Sequence, residues 1–304
     1  MSPDHGAPEQ DRFATTAAGV DICYRESGDP DGEPLLLIAG LGLDLTSWPA
    51  GMVDGFAERG FRVIRLDNRD VGRSTHIDTR PPTRAALTIR AAPARNYDLT
   101  DMARDTVGLL DHLAISRVHL VGMSMGGMIA QTVAAWNPTR VTSLTSIFST
   151  TGSLRVGQLA PSTMLRLLKR PPRTRAESVE QHLALVRHIG SPEFPLDPAV
   201  ERSYAAGAWD RGDGARAHHG VSRQMGAIVK SGDRTPELRR ITAPTLVIHG
   251  DVDRMVHPSG GRATAAAVPY SRHVTVAGMR HHLAPGLADR LVAHAADHAA
   301  TASG

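Results

Sequence analysis

One cysteine, two lysines and 4% aromatic residues set the first limits on this 304-residue chain. A single Cys23 excludes a disulfide framework within the chain and any cysteine-based zinc site. In the strand-like run Val20-Asp21-Ile22-Cys23-Tyr24 it reads as a small buried hydrophobe. With lysine confined to Lys169 and Lys230, the positive charge is nearly all arginine, and 34 basic against 31 acidic residues leave a net charge of only +3. The densest basic run, Lys169-Arg170-Pro171-Pro172-Arg173-Thr174-Arg175, is short, so nucleic-acid binding is not expected. The scarcity of aromatics weighs against an aromatic-lined surface for sugars or single-stranded nucleic acid. No apolar run reaches the length of a membrane span. The first ten residues, MSPDHGAPEQ, are polar and hold two prolines. They lack the apolar core of a secretory signal, and the cytoplasm is the expected location.

What is present suits one large domain with an inserted subdomain, since 41% of the residues are hydrophobic and a sizeable core is available. Short β-like runs alternate with helical patterns, as in a layered α/β domain. The strand candidates are Leu35 to Ala39, Phe61 to Leu66, Val118 to Val121, Thr145 to Phe148, Thr245 to His249 and His273 to Val276. Leu35 to Ala39 is continuously apolar and reads as a strand covered on both faces. Helices are expected over Ser47 to Arg59, Thr100 to Leu113 (with Thr100 as N-cap and Asp101 in the first turn), Met128 to Trp136 and about Gly286 to His298. From about Thr151 to Thr242 the alternation stops. Helical segments over Pro161 to Lys169, Ala176 to Ile189, Pro198 to Trp209 and Gly214 to Ser231 follow one another without a convincing strand. That is too long for one crossover, and it reads as a helical cap over one edge of the sheet.

The strongest local signal is Gly122-Met123-Ser124-Met125-Gly126, a G-x-S-x-G pattern with a strand before it and a helix after it. A strand turning sharply into a helix forces the central residue into a strained conformation, and large side chains two positions away would collide with the turn. The serine is thrust out at the carboxyl edge of the sheet, where the helix N-terminus favours developing negative charge. A serine hydroxyl needs an adjacent base. In an open α/β sheet such groups collect beyond the carboxyl ends of the strands. Two later loops there carry suitable residues: His249-Gly250-Asp251-Val252-Asp253 and Ala277-Gly278-Met279-Arg280-His281-His282. The chain order is therefore Ser, Asp, His, with Asp251 or Asp253 as acid and His281 or His282 as base. Other groups invite blander readings. The adjacent His218 and His219 face different ways on a helix and read as surface or pocket polar residues rather than metal ligands. His257 reads as structural. Met123, Met125 and Met128 suit either pocket lining or core packing. Met164, Leu165, Leu168, Trp209 and Met225 are candidates for a pocket roof.

On these residues the chain resembles the α/β-hydrolase superfamily over roughly 12 to 150 and 236 to 300. The resemblance implies a mostly parallel eight-stranded sheet flanked by helices, with a core at 1–150 and 236–304 and a helical cap at 151–235. The family's H-G-x-x-D loop selects Asp253 over Asp251, and its G-x-x-H loop selects His281 over His282. It implies an oxyanion hole from the backbone N–H groups of Met125 and of Leu41 in Ala39-Gly40-Leu41-Gly42. Many members read His-Gly at the first two of those positions where this chain has Ala-Gly, but the donor is a backbone group. Asp67-Asn68-Arg69-Asp70-Val71-Gly72-Arg73-Ser74 resembles a family loop expected to form a charged network beside the site, with Asp70 and Arg73 outside the chemistry. Dehalogenases and epoxide hydrolases of this fold use Asp as nucleophile, so Ser124 points to acyl transfer. Leu35 to Pro49, the Asn68 to Ser74 loop and the serine motif look most like the actinobacterial group around aclacinomycin methylesterase. The implied activity is a serine carboxylesterase, acting on a fairly apolar small-molecule ester without cofactor or metal. Thioesterase, lactonase and lipase chemistry use the same residues, and a ligand-binding receptor can keep them too. The choice between monomer and homo-oligomer stays open.

Overall fold

Leu35, Leu36, Leu37 and Ile38 are all fully buried, and their alternating directions explain the layering. Leu35 and Leu37 pack with Met52, Phe56, Leu287 and Leu291 on one side of the sheet. Leu36 and Ile38 pack with Met102, Leu109, Ile129 and Val133 on the other. Each such side chain contributes roughly 1.5–3 kcal/mol by leaving water. The computed structural model describes residues 10–167 and 169–303. Its first half runs β1 (Arg12–Thr15), β2 (Asp21–Gly28), β3 (Glu33–Ile38), α1 (Ala50–Ala57), β4 (Phe61–Leu66), α2 (Arg84–Thr88), α3 (Leu99–His112), β5 (Val118–Met123), α4 (Met125–Trp136) and β6 (Val141–Ile147). Then come α5 (Pro161–Leu167), α6 (Arg175–Ile189), α7 (Pro198–Arg211), α8 (Ala217–Ser231), α9 (Thr235–Leu238), β7 (Thr245–Gly250), α10 (Ser259–Ala267), β8 (Ser271–Val276) and α11 (Pro285–Ser303).

The eight strands form one sheet in the order β1-β2-β4-β3-β5-β6-β7-β8. β1 pairs with β2, and β2 with β4, in antiparallel fashion; every other pairing is parallel. From β3 the chain crosses to β4 on one side, and β5 lies on the other. Loops leaving β3 and β5 therefore diverge and open a crevice at their carboxyl ends.

Several local readings shift. Asp98, not Thr100, caps α3: its carboxylate accepts from the Thr100 and Asp101 amides, and Asp101 closes a capping box. A carboxylate two residues earlier outcompetes the threonine hydroxyl for the free amides. The helix expected from Ser47 begins at Ala50, because Leu45–Ser47 forms a separate 3-10 turn and Pro49 sets the entry. α4 starts at Met125, immediately after the serine, rather than at Met128. β6 ends at Ile147, and Phe148 lies past it with φ of 37°. β1, an exposed four-residue edge strand, has too little alternation to stand out in sequence.

All described structure between β6 and β7 is helical or irregular. The two ends of this insertion meet at one side chain. The Arg234 amide donates to Thr151 O at 2.9 Å. Its guanidinium donates to Thr150 O (2.7 Å), Met128 O (3.1 Å) and Gln131 Oε1 (2.9 Å). Burial pulls the pKa of Arg234 down to about 10, which still leaves it charged at neutral pH. Arg234 thus joins the start and the finish of the insertion to α4.

Candidate active site

Ser124 sits between β5 and α4 with φ 54° and ψ −118°, a conformation that L-residues hold only under constraint. The constraint is visible on both sides. A Cβ on Gly126 would land on the carbonyl of Ile38, and one on Gly122 on the carbonyl of Gly126. The Ser124 amide is anchored to Ile147 O at 2.9 Å.

Ser124 Oγ lies 2.9 Å from His281 Nε2, and His281 Nδ1 lies 2.8 Å from Asp253 Oδ2. A carboxylate only accepts, so Nδ1 carries the proton and Nε2 is left to accept from the serine. The other oxygen of Asp253 accepts the amides of Met255 (2.7 Å) and Val256 (3.0 Å). Burial would raise the Asp253 pKa, but its contacts with His281 and His249 outweigh it and hold the carboxyl well below the usual range. The Phe148 ring lies against His281, 4.3 Å between centroids, and shields one face of the imidazole.

The competing residues go elsewhere. Asp251 accepts the Gly278 amide at 2.8 Å and braces the turn before His281. His282 Nε2 lies 3.1 Å from Glu201 Oε1 on α7, and the other Glu201 oxygen lies 2.7 Å from His182 Nε2 on α6. These two imidazoles overcome the upward push of burial and bring the Glu201 pKa from 4.5 to about 2. A depressed carboxyl pKa stabilises the fold above the unfolded value and loses that contribution as pH falls through the folded one. The Tm deficit of Glu201→Gln relative to the parent is therefore expected to be full above pH 4.5 and to shrink steadily from there towards pH 2; a deficit constant with pH would contradict it.

Neither Leu41 nor Met125 has an intramolecular acceptor for its amide among the described residues. Gly40 brings that loop against Ser124, since a Cβ there would lie 3.4 Å from Ser124 Cβ. Two side chains hold the loop open: Asn68 Nδ2 donates to Ala39 O at 3.1 Å, and the Gly42 amide donates to Gln224 Oε1 on α8 at 2.8 Å. Gln224 in turn donates to Arg69 O at 2.8 Å.

The charged loop after β4 forms the expected network, and it reaches into the insertion. Asp70 takes two bonds from Arg223 on α8, at 2.8 and 2.7 Å, and one from the Tyr97 hydroxyl at 2.7 Å. Arg69 pairs with Asp105, and Arg211 on α7 with Asp67. Arg73 reaches outward to Asp11. Replacing Arg223 by Met would leave Asp70 buried and uncompensated, at a cost of about 3–5 kcal/mol. Urea unfolding should show this loss, and a change under about 1 kcal/mol would contradict the account.

A cavity of about 180 Å³ extends from Gly42 and Leu43 beneath His182, Tyr204, Trp209 and His218. Of the proposed roof residues, Trp209 lines it, Met225 is half-buried, Met164 and Leu165 are exposed, and Leu168 lies outside the described residues. The three methionines around Ser124 are core: Met123 on one side of the sheet, Met125 and Met128 on the other. His218 and His219 do not face apart; their rings meet at 4.2 Å between centroids where α8 begins. His257 binds the Ser259 hydroxyl in a turn. No group of three or more His, Cys, Asp or Glu suited to a metal occurs among the described residues, and none of the described helices is long and apolar enough to cross a membrane.

Sequence Asp67 to Ser74 and the serine turn were visible before folding; Gln224, Glu201, Arg234 and Phe148 were not. No local pattern marks them: Gln224, Glu201 and Arg234 act across contacts that the packed insertion creates, and Phe148 meets His281 from a distant part of the chain.

This sheet order, with a serine on a strained turn at the switch point, defines a class. Residues 33–284 match the model of the α/β hydrolase fold, and the chain belongs to that family, as a hydrolase of α/β fold. Its relatives include the rhodomycin D methylesterase DauP of Streptomyces sp. (strain C5), 31% identical over 91% of this chain and 94% of that protein. DnrP of Streptomyces peucetius, also a rhodomycin D methylesterase, is 30% identical over the same shares. Among solved structures, the enol-lactonase of Burkholderia xenovorans LB400 superposes with a TM-score of 0.70 at 24% identity, covering 94% of this chain and 99% of that one.

Proposed function

We propose that the chain is a serine carboxylic ester hydrolase acting on a fairly apolar ester. The observation that carries this is the alignment of Ser124 Oγ, His281 and Asp253 at 2.9 and 2.8 Å, beside two unengaged amides. Esterase relatives at about 30% identity support the same reading. Residues 151–235 act as the cap and roof the substrate cavity, over a core of 1–150 and 236–304.

In this scheme His281 takes the serine proton as Oγ attacks the ester carbonyl. The Leu41 and Met125 amides receive the developing oxyanion, each contributing roughly 3 kcal/mol in the transition state. Asp253 keeps the imidazole in its Nδ1–H tautomer and stabilises the imidazolium. The imidazolium then protonates the departing alcohol, leaving an acyl group on Ser124. Water, deprotonated by the same ring, attacks that acyl group and releases the acid.

An organophosphonate that phosphonylates active serines tests the scheme. One equivalent of label on the peptide carrying Ser124 is expected, with loss of p-nitrophenyl ester turnover in proportion. Label on another residue, or full activity after labelling, would sink it. A panel of oxygen esters, thioesters and lactones, compared by kcat/KM, then ranks the substrate classes that the same residues can serve.

A further inference from the structure

The loop that carries His281 is fastened by two different parts of the chain. Its stem is tied to the core: the Met279 amide donates to Val276 O and the Gly278 amide to Asp251. The amides of its tip and the Arg280 guanidinium are tied to the cap. The Arg280 amide donates to Ser191 Oγ at 2.7 Å and its guanidinium to Gly190 O at 3.2 Å. The His281 amide donates to Ile189 O at 3.0 Å. All those acceptors belong to one turn at the end of α6. The remaining attachment, His282 to Glu201, is the only one among them made to α7.

We propose that Glu201 is a positioning residue for His281. Its carboxylate holds His282, the next residue in the chain, and through His182 locks α6 and α7 into the mount of the base. The inference rests on the ester-hydrolase reading.

The chemistry of the bridge calls for a carboxylate. His282 and His182 both present Nε2 to Glu201. His282 Nδ1 is buried with no protein partner, so Nε2 makes the ring's polar contact with the protein. Two N–H donors need two acceptor oxygens, whereas an amide would turn its own N–H against one of them. The Glu201 side chain is 12% exposed. Other charged groups nearby do not duplicate the bond: Arg187 and Arg280 line the neighbouring cavity of about 360 Å³ with Glu201, and Arg202 pairs with Glu180 on the outer surface. His281 must hold hydrogen-bond alignment to both Ser124 and Asp253, and displacement by about 1 Å can cost on the order of a hundredfold in rate.

The test compares His282→Gln, whose amide can still donate to Glu201, with His282→Leu, which cannot, alongside Glu201→Gln. Turnover of a p-nitrophenyl ester is read together with the downfield proton resonance of His281 Nδ1–H. His282→Gln is expected to keep kcat within about threefold. His282→Leu and Glu201→Gln are expected to lose about tenfold to a hundredfold in kcat with little change in KM, and to broaden or shift the resonance. The double variant Glu201→Gln/His282→Leu should be no worse than the poorer single. Equal kcat in His282→Gln and His282→Leu, or losses that multiply in the double variant, would overturn the proposal. If Glu201→Gln does not fold, the two His282 variants decide alone. A parent protein without Ser124-dependent turnover would sink the ester-hydrolase reading instead; the resonance would still show whether Glu201 holds the ring.

Discussion

Ser124→Ala is expected to lower kcat on a p-nitrophenyl ester by about a millionfold, the loss seen when the nucleophile of a Ser-His-Asp enzyme is removed. The change deletes one oxygen and leaves everything that shapes the turn. Gly122 and Gly126 still enforce the bend, and the amide at 124 still donates to Ile147 O. The backbone at φ 54° stays as strained for alanine as for serine. The protein should therefore fold normally, with Tm within a few degrees of the parent, and phosphonate labelling of that peptide should vanish. Residual turnover above about one percent of the parent rate would remove Ser124 from the chemistry.

Asp253→Asn should cost about ten-thousandfold in kcat. An asparagine fits the space but can present N–H to His281 Nδ1, which turns the imidazole to the wrong tautomer. Its second oxygen now accepts two amides, at 2.7 and 3.0 Å, and that demand on the side-chain oxygen steers the asparagine nitrogen towards the ring. Asp251→Asn makes the contrast. Its side chain meets only the Gly278 amide among the described hydrogen bonds, and an amide oxygen can accept that bond equally well. Its kcat should stay within about threefold of the parent. Equal losses in the two variants would show that the acid had been assigned to the wrong carboxylate.

The parts of the fold that were legible in sequence are those with local causes. Leu35 to Ile38 had to be a doubly covered strand because four successive apolar residues leave no face for water. The serine turn could be read because its glycines answer a steric demand within five residues. The loops after β7 and β8 narrowed the acid and base to two candidates each, and the resemblance chose between them by spacing. In the fold Asp253 meets His281, and Asp251 meets the Gly278 amide. The rest had no local cause. Gln224 lies 182 positions from the amide it receives at Gly42, and Arg223 lies 153 from Asp70. Such partners follow from how the helical insertion docks, and its composition offers only helical segments and proline breaks. Met164 and Leu165 failed as roof residues for the same reason: they have the apolar character of a pocket wall, yet α5 docks through Thr163, which is buried against Arg254 O and His188.

Arg234 carries a consequence for anyone who would re-engineer this scaffold. Its single guanidinium spans the outgoing strand end, the returning chain and the helix behind Ser124. The segment between β6 and β7 is thus no interchangeable cassette. A chimera that grafts in a foreign segment at those two junctions inherits its neighbours' acceptors without the side chain that satisfies them, unless the graft ends upstream of residue 234.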